Sequence, residues 1–450
     1  MLELSIEEAS YWRKNGAILR QALDFLLEKL CVLGEIDKID TTIKSQIADY
    51  EKALICAKHC VQYSSVSNFT FMIVPDATTI IIHPKGSSHY FEHKIQADID
   101  RTIVDHLIQN NKEVSIRDQY MDQNSSPFNF RVHTQILDEP FQAKFGITYA
   151  EFQALVSGLV VNSKEIIDPG KAPMSVKEDT IKGLAEYLGI PASSVTAIMN
   201  LLTLDKSIPR EVWDSKQFNR INKRPFLEFQ SRGRTVLMWS HSKIGEYLAL
   251  LDSDLIFNKT PHGWDSESLR GAISKISNNS GKWFEQAVIT QLEKLGFKGR
   301  EVKDKTFDKF SDVNFDCGQI DYLGFHAESN CMAIFEFKMI ETGFDARGVR
   351  QVRSYFLEGK KPFVNIFNRK INWVNANLPF LKEYFKNEFG SAIPSDLHEV
   401  KAAFITYYPT LLSLFFTQIP CKSLIQFVED CNSKGIWPYP SGPAMSNTTT

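Results

Sequence analysis

Ile320-Asp321-Tyr322-Leu323-Gly324-Phe325, His326-Ala327-Glu328-Ser329-Asn330, Cys331-Met332-Ala333-Ile334-Phe335-Glu336-Phe337-Lys338-Met339-Ile340: two apolar runs about a polar turn predict a β-hairpin. In the second run Ala333, Phe335, Phe337 and Met339 share one face, and Ile334, Glu336 and Lys338 the other. Apart from those two charges the run is apolar on both faces, the pattern of a central strand covered on both sides. An exposed strand often carries Glu and Lys as a surface pair, but it is not normally flanked by Ala-Ile-Phe and Met-Ile. Glu336 and Lys338 are therefore expected to emerge into a cleft. Asp321, on the neighbouring strand, adds a second carboxylate. Two carboxylates, phosphate oxygens and water complete an octahedral oxygen site of the kind Mg²⁺ takes. Such a cation stabilises charge on a phosphate and acidifies a bound water. Lys338 would orient that water and offset charge in the transition state. Gly318, just upstream, permits close backbone approach.

Two helices are expected to flank the hairpin. Phe284, Val288, Leu292 and Leu295 recur at helical spacing, with Gly296 suited to the C-terminal cap. Glu285 adjoins that stripe, and a carboxylate at the edge of a buried face needs a partner. It reads as a metal ligand or the support of one; the alternative is a partly exposed glutamate paired with a lysine such as Lys282. After the hairpin, a helix beginning near Phe344-Asp345 puts Gln351 and Tyr355 four residues apart on one face. Residues 343–370 hold Arg347, Arg350, Arg353, Lys360, Lys361, Arg369 and Lys370 against Asp345 and Glu358. A local positive excess beside carboxylates suits a polyanion, although a solvated amphipathic helix also explains it.

These residues resemble the PD-(D/E)XK nuclease superfamily. Glu285 looks like its helix acid, Asp321 its metal-binding aspartate within a G-x-x-D, and Glu336-Phe337-Lys338 its (D/E)-x-K element. Gln351 and Tyr355 match the Q-x-x-x-Y helix of RecB-like nucleases. The resemblance spans roughly residues 266–435. It implies a restriction-endonuclease-like mixed sheet flanked by helices, Mg²⁺ or Mn²⁺ as cofactor, and hydrolysis of phosphodiesters, most often in DNA, with RNA left open. Asp321, Glu336 and Glu285 would hold the metal; Lys338 and Gln351 would complete the catalytic set. Tyr355, Arg347, Arg350 and Arg353 would meet nucleic acid. The cysteine tetrad of some relatives has no counterpart. Ser280-Gly281-Lys282-Trp283 imitates a P-loop but lacks the upstream Gly and the Ser/Thr after Lys, so no motor is expected.

The first 260 or so residues resemble no family. Residues 5–63 have a helical period, expected as two antiparallel helices joined near Gly34. Phe69–Val74 and Thr78–Ile82, flanking Pro75-Asp76-Ala77, predict a hairpin, and Asp98–Gln109 a helix. Asp122–Pro127 reads as a loop and Asp168–Pro173 as a linker. Leu184, Ala185 and Leu188, then the turn Gly189-Ile190-Pro191, then Val195, Ile198 and Met199, resemble a helix-turn-helix. Phe226–Phe229 and Val236–Trp239 about a basic turn suit a winged-helix wing. Arg220, Lys223, Arg224, Arg232 and Arg234 favour contact with DNA there; two core helices with a solvated hairpin are the alternative.

The division expected is thus an α/β multidomain chain. Residues 1–165 form a mostly helical α+β module, 166–262 a winged-helix-type domain, 263–440 the nuclease-like domain and 441–450 a disordered tail. Composition agrees with a multidomain globular protein: 450 residues, 43% hydrophobic and 23% charged, with a net charge of −3 that confines nucleic-acid contact to local patches. Seven scattered cysteines without a CxxC pair suggest reduced thiols in the cytoplasm rather than disulfides or a structural zinc. Cys56 and Cys60 are expected to pack as small hydrophobes. His83, His89 and His93 lack ligand-spaced partners. The start is acidic, unlike a signal peptide, and the uncharged stretch between Lys401 and Lys422 is interrupted by prolines and polar residues, so no membrane partner is expected. The function expected is a metal-dependent deoxyribonuclease, by analogy in bacterial restriction or antiviral defence against phage. The rivals are a DNA-binding regulator with a degenerate nuclease fold, and a subunit active only within a larger complex. A homodimer or a partner protein remains open.

Overall fold

The computed structural model describes residues 6–33, 43–72, 78–84, 91–121, 126–127, 130–166, 173–208, 220–307, 310, 313–341, 346–390 and 399–439. In chain order the elements are α1 (Ile6–Leu33), α2 (Ile43–Met72), β1 (Thr78–Ile82), β2 (Phe91–Ile95), α3 (Ala97–Ile116), α4 (Phe130–Phe145), α5 (Tyr149–Ile166), β3 (Met174–Val176), α6 (Lys177–Leu188), α7 (Ala192–Leu202) and β4 (Thr203–Leu204). They continue with β5 (Phe226–Ser231), β6 (Arg234–Met238), α8 (His241–Ile256), α9 (Glu267–Lys294), β7 (Phe297–Val302), β8 (Ile320–His326), β9 (Cys331–Lys338), α10 (Ala346–Arg353), α11 (Phe363–Ala376), α12 (Leu378–Phe389), β10 (Glu399–Thr406), β11 (Cys421–Ser423) and α13 (Leu424–Lys434). Two mixed sheets flanked by helices result, with a separate two-stranded pair. Among the described residues no helix is long and apolar enough to cross a membrane.

The chain forms two compact units that are interleaved in sequence. One combines residues 1–67 with 127–278, the other 68–126 with 279–450. Neither coincides with one of the consecutive stretches 1–165, 166–262 and 263–440.

In the first unit the sheet runs β3-β6-β5-β4. The helices α6 and α7 follow β3 and are joined through Gly189 in the left-handed region, which caps α6 with a hydrogen bond from its own N–H to the Ala185 carbonyl. Leu184, Ala185, Val195, Ile198 and Met199 are buried, as their spacing predicts. The β5–β6 hairpin turns at Arg232-Gly233. Cys31 of α1 packs with Leu204, Ile221, Leu227 and Phe229. Phe141, Tyr149, Phe152 and Trp264 form an aromatic cluster with ring centroids 4.9–6.0 Å apart.

The second unit is built on a sheet of order β11-β10-β9-β8-β7. β9 is antiparallel to β8 and parallel to β10. Every residue of β8 and β9 is buried except Asp321 and Lys338, which bears out the central-strand pattern. Ile334, Leu323, Phe325 and Met332 share a core with Phe367, Val374, Leu381 and Phe385 of α11 and α12. On the opposite face Phe335 meets Phe297, Phe427 and Trp437.

Two local expectations fail. α2 continues to Met72, so residues 69–72 are helical, and β1 pairs with β2; residues 73–77 lie outside the described residues. Extending a formed helix adds one hydrogen bond per residue fixed, whereas the strand preference of Phe and Thr is weak and set by context. Cys56 and Cys60 are exposed rather than packed, though none of the seven cysteines is in a disulfide. The loop at 122–125, the linker at 168–172, His89 and the tail from 440 lie outside the described residues.

β7 reaches β8 through a glycine pair. Gly299 lies opposite Gly324, and a Cβ on Gly324 would stand 2.6 Å from the Lys298 carbonyl oxygen and 2.8 Å from the Gly299 Cα. Backbone cannot yield as a side-chain tip does. Gly324→Val should therefore lower stability by roughly 1–3 kcal/mol or more in urea unfolding; an unchanged midpoint would contradict this strand contact.

Candidate active site

The register of the hairpin brings the acidic residues together. Tyr322 pairs with Phe335, so one step further Asp321 faces Glu336 on the same side of the sheet. The Phe337 N–H donates to Asp321 Oδ2 at 2.8 Å, which fixes the aspartate across the strand pair. Lys338 Nζ lies 2.7 Å from Glu336 Oε1 and 3.7 Å from Asp321 Oδ2. One ammonium thus serves both carboxylates.

A second lysine completes the cluster. Lys370 of α11 lies 2.6 Å from Glu336 Oε2, and each side chain of that pair is only 6% exposed. Lys370 belongs to the inward row Phe363, Phe367, Lys370, Val374, spaced as one helix face. In the sequence it stands within the basic run of residues 343–370. Its real signal was a lysine within an apolar stripe. Its neighbour Arg369 donates to the Cys317 carbonyl at 3.3 Å, and Trp373 Nε1 donates to the Asn314 carbonyl at 2.7 Å. Those bonds tie α11 to the segment entering β8. Gly318 in that segment has φ +83°, a conformation that disfavours any side chain.

Glu285, half-buried on α9, interacts with the cluster through its charge. Burial raises its proton affinity first, and the charges of Asp321 and Glu301 raise it further. Asp321 is raised likewise, by burial and then by Glu336, against Lys338, the Phe337 N–H and Lys370. Burial alone would lower Lys338, but Glu336 and Asp321 outweigh it and hold its ammonium above the usual lysine value. Burial pushes the Cys317 thiol beside the site up to about 11, so it stays neutral.

The Q-x-x-x-Y pair joins the site indirectly. Gln351 Nε2 donates to the Tyr355 hydroxyl at 2.6 Å, and both residues are exposed. Tyr355 sits on a π-helical turn, Ser354–Glu358, and stacks on Phe363 at 6.2 Å between ring centroids. Lys338 Nζ lies 5.0 Å above the Phe363 ring. Gln351 and Tyr355 therefore border the lysine through one aromatic ring.

The cations separate into two groups. Arg350, Lys360 and Lys361 are exposed; Arg353 pairs with Glu358 at 2.7 Å and lies over Phe415. The side chain of Arg347 lies outside the described residues. In the first unit Arg232 and Arg234 are exposed at the hairpin tip. Arg220, Lys223 and Arg224 are engaged internally, which corrects their reading as surface cations. Arg220 pairs with buried Glu28 at 2.8 Å, Lys223 with Asp254, and buried Arg224 donates to the Thr203 carbonyl.

Among the described residues no three His, Cys, Asp or Glu side chains stand close enough to hold one ion together. Mg²⁺ nevertheless commonly takes one or two carboxylates and fills its shell with water and substrate phosphate. Asp321 and Glu336 supply hard oxygen donors sharing one point of positive charge, so the donor set fits such a cation. Compared with family models, with curated proteins and with solved structures, the chain finds no match.

A carboxyl with raised proton affinity in the folded state supports stability below the ordinary carboxylate range. That support is lost as pH rises through its folded value. Glu285→Gln is accordingly expected to melt higher than wild type at about pH 7 in EDTA and level with it at about pH 3.5. A lower melting point for the variant at neutral pH would contradict the desolvated placement of Glu285.

Proposed function

We propose that this chain is a metal-dependent nuclease, with its catalytic centre at Asp321, Glu336 and Lys338 on the paired edges of β8 and β9. The observation that carries the reading is the shared ammonium: Lys338 Nζ stands 2.7 Å from Glu336 and 3.7 Å from Asp321 on strands otherwise buried. A protein stabilises two carboxylates and a lysine in such a place only at a cost in desolvation. Chemistry at the site is a reason to keep them.

Asp321 and Glu336 would hold Mg²⁺ or Mn²⁺. When bound, that cation supplies charge stabilisation on the scissile phosphate and a more acidic water. The Phe337 N–H keeps Asp321 turned toward Glu336. Lys338, held protonated by its two acidic neighbours, donates hydrogen bonds to an attacking oxygen or a phosphate oxygen. Glu285 deepens the negative potential around the cation, Gln351 and Tyr355 border Lys338 through Phe363, and exposed Arg350, Lys360 and Lys361 would attract a polyanion. The second unit's sheet and its helices carry this reading as a restriction-endonuclease-like domain. DNA is the substrate we favour, in the cytoplasm, with restriction or defence as its setting.

The β3-α6-α7-β5-β6 order in the first unit supports a winged-helix reading, with Arg232 and Arg234 at the wing tip. The exposed positions of α7, including Ser193, Ala197 and Asn200, carry no cation, so DNA contact there would rest on the wing. Each wing arginine would add one phosphate contact. Arg232→Ala/Arg234→Ala should lower duplex affinity and flatten its salt dependence by about two units of slope. An unaltered salt slope would remove this surface from the DNA path.

Purified protein should cut plasmid, linear duplex or single-stranded DNA with Mg²⁺ or Mn²⁺ and stop in EDTA. Lys338→Ala and Glu336→Gln, checked by circular dichroism for folding, should each cut at least about a hundredfold more slowly. Binding of DNA without cleavage in any metal would favour the regulator reading instead.

A further inference from the structure

Glu336 carries an ammonium group on each oxygen. Lys338 takes Oε1 and Lys370 takes Oε2, at 2.7 and 2.6 Å. The two lysines differ in every other respect. Lys338 is 19% exposed at its side chain, shares Asp321, and sits on the strand itself. Lys370 is 6% exposed, and its ion pair is with Glu336. It comes from a helix locked by Phe367 and Val374 in the core and by Trp373 on the Asn314 carbonyl. Burial of its side chain and the anchoring of its helix hold Lys370 more firmly than the partly exposed Lys338.

This arrangement has an electrostatic consequence. A divalent cation that approaches Glu336 meets a fixed positive charge on the far oxygen of the same carboxylate. Repulsion between two charges so close is substantial even when strongly screened. The two ammonium groups offset the charges of Glu336 and Asp321 and leave Glu285 as the remaining acid of the cluster, so a bare cation is attracted less than by three unopposed carboxylates. A nucleic-acid phosphate supplies the missing negative charge and further oxygen donors.

We propose that Lys370 is a fixed counter-ion that makes loading of the divalent cation depend on nucleic acid: the cation binds weakly alone and firmly only with the substrate's phosphates. This rests on the metal-dependent reading above and adds to it the order of assembly. Lys370 is a positioning residue here. It acts through Glu336 and touches neither cation nor phosphate.

The test is Mn²⁺ affinity of the full chain, read by electron paramagnetic resonance of the free ion, with and without a phosphorothioate DNA duplex that resists cleavage. Wild type should bind Mn²⁺ weakly and gain about tenfold or more with the duplex. Lys370→Met should bind Mn²⁺ about tenfold tighter than wild type without DNA and gain less from the duplex. Lys370→Gln, more polar and smaller, should behave alike. A merely structural role would weaken the metal site on substitution, the opposite sign. Equal or weaker Mn²⁺ affinity in both folded variants, against measurable binding in wild type, overturns the counter-ion role alone. No Mn²⁺ binding by any of the three, with or without duplex, overturns the metal-dependent reading and this inference with it.

Discussion

The ion-paired carboxylate of Glu336, in the middle of a sheet, is the constraint that the second unit is arranged around. β9 is buried on both faces, so a charge there has no water to solvate it. Two lysines and an opposing aspartate surround it instead. Each comes from a different route through the fold: Lys338 from the same strand, Asp321 from the hairpin register, Lys370 from the helix that returns the chain toward β10. Removing either partner of such a pair leaves an uncompensated charge and costs about 3–5 kcal/mol. Replacing the whole cluster by apolar residues would often be neutral. Stability alone therefore does not account for its presence.

The surrounding packing serves that cluster. β8 and β9 are held in register by apolar pairs such as Leu323 with Ile334. The Gly299–Gly324 contact draws β7 against β8. α11 buries Phe367 against Phe404 at 4.6 Å between ring centroids, and so presents Lys370 at a fixed depth. Phe363 separates Lys338 from Tyr355, giving the lysine an apolar wall on one side and acids on the other. Such a wall keeps water away and strengthens charge interactions inside.

Much of this was legible in the residues because it is local. The hairpin showed in two apolar runs about a polar turn, and its burial in the apolar flanks of Glu336 and Lys338. The α9 face showed in the spacing of Phe284, Val288 and Leu292, all buried. Lys370 was not legible as a site residue, since its partner lies 34 residues away and its charge looked like surface. Glu28 and Arg220, 192 residues apart, show the same limit: a cation's partner across the chain is invisible to any window. The Phe69–Val74 run misled because strand preference is decided by neighbours that the run does not contain. The two interleaved units escaped notice for a related reason. Composition marks breaks such as Asp168–Pro173, but it does not tell which segments pack together again.

The central claim is that Asp321 and Glu336 grip one divalent cation, and its most direct measurement localises that ion on the polypeptide. Fe²⁺ substituted for Mg²⁺ generates hydroxyl radicals with ascorbate and peroxide, and these cleave backbone next to the metal. The account predicts protein fragments ending within β8 near residue 321 and within β9 near residues 336–338, suppressed by excess Mg²⁺ and absent in Asp321→Asn. Cuts that fall elsewhere, or that persist unchanged in that variant, would contradict it.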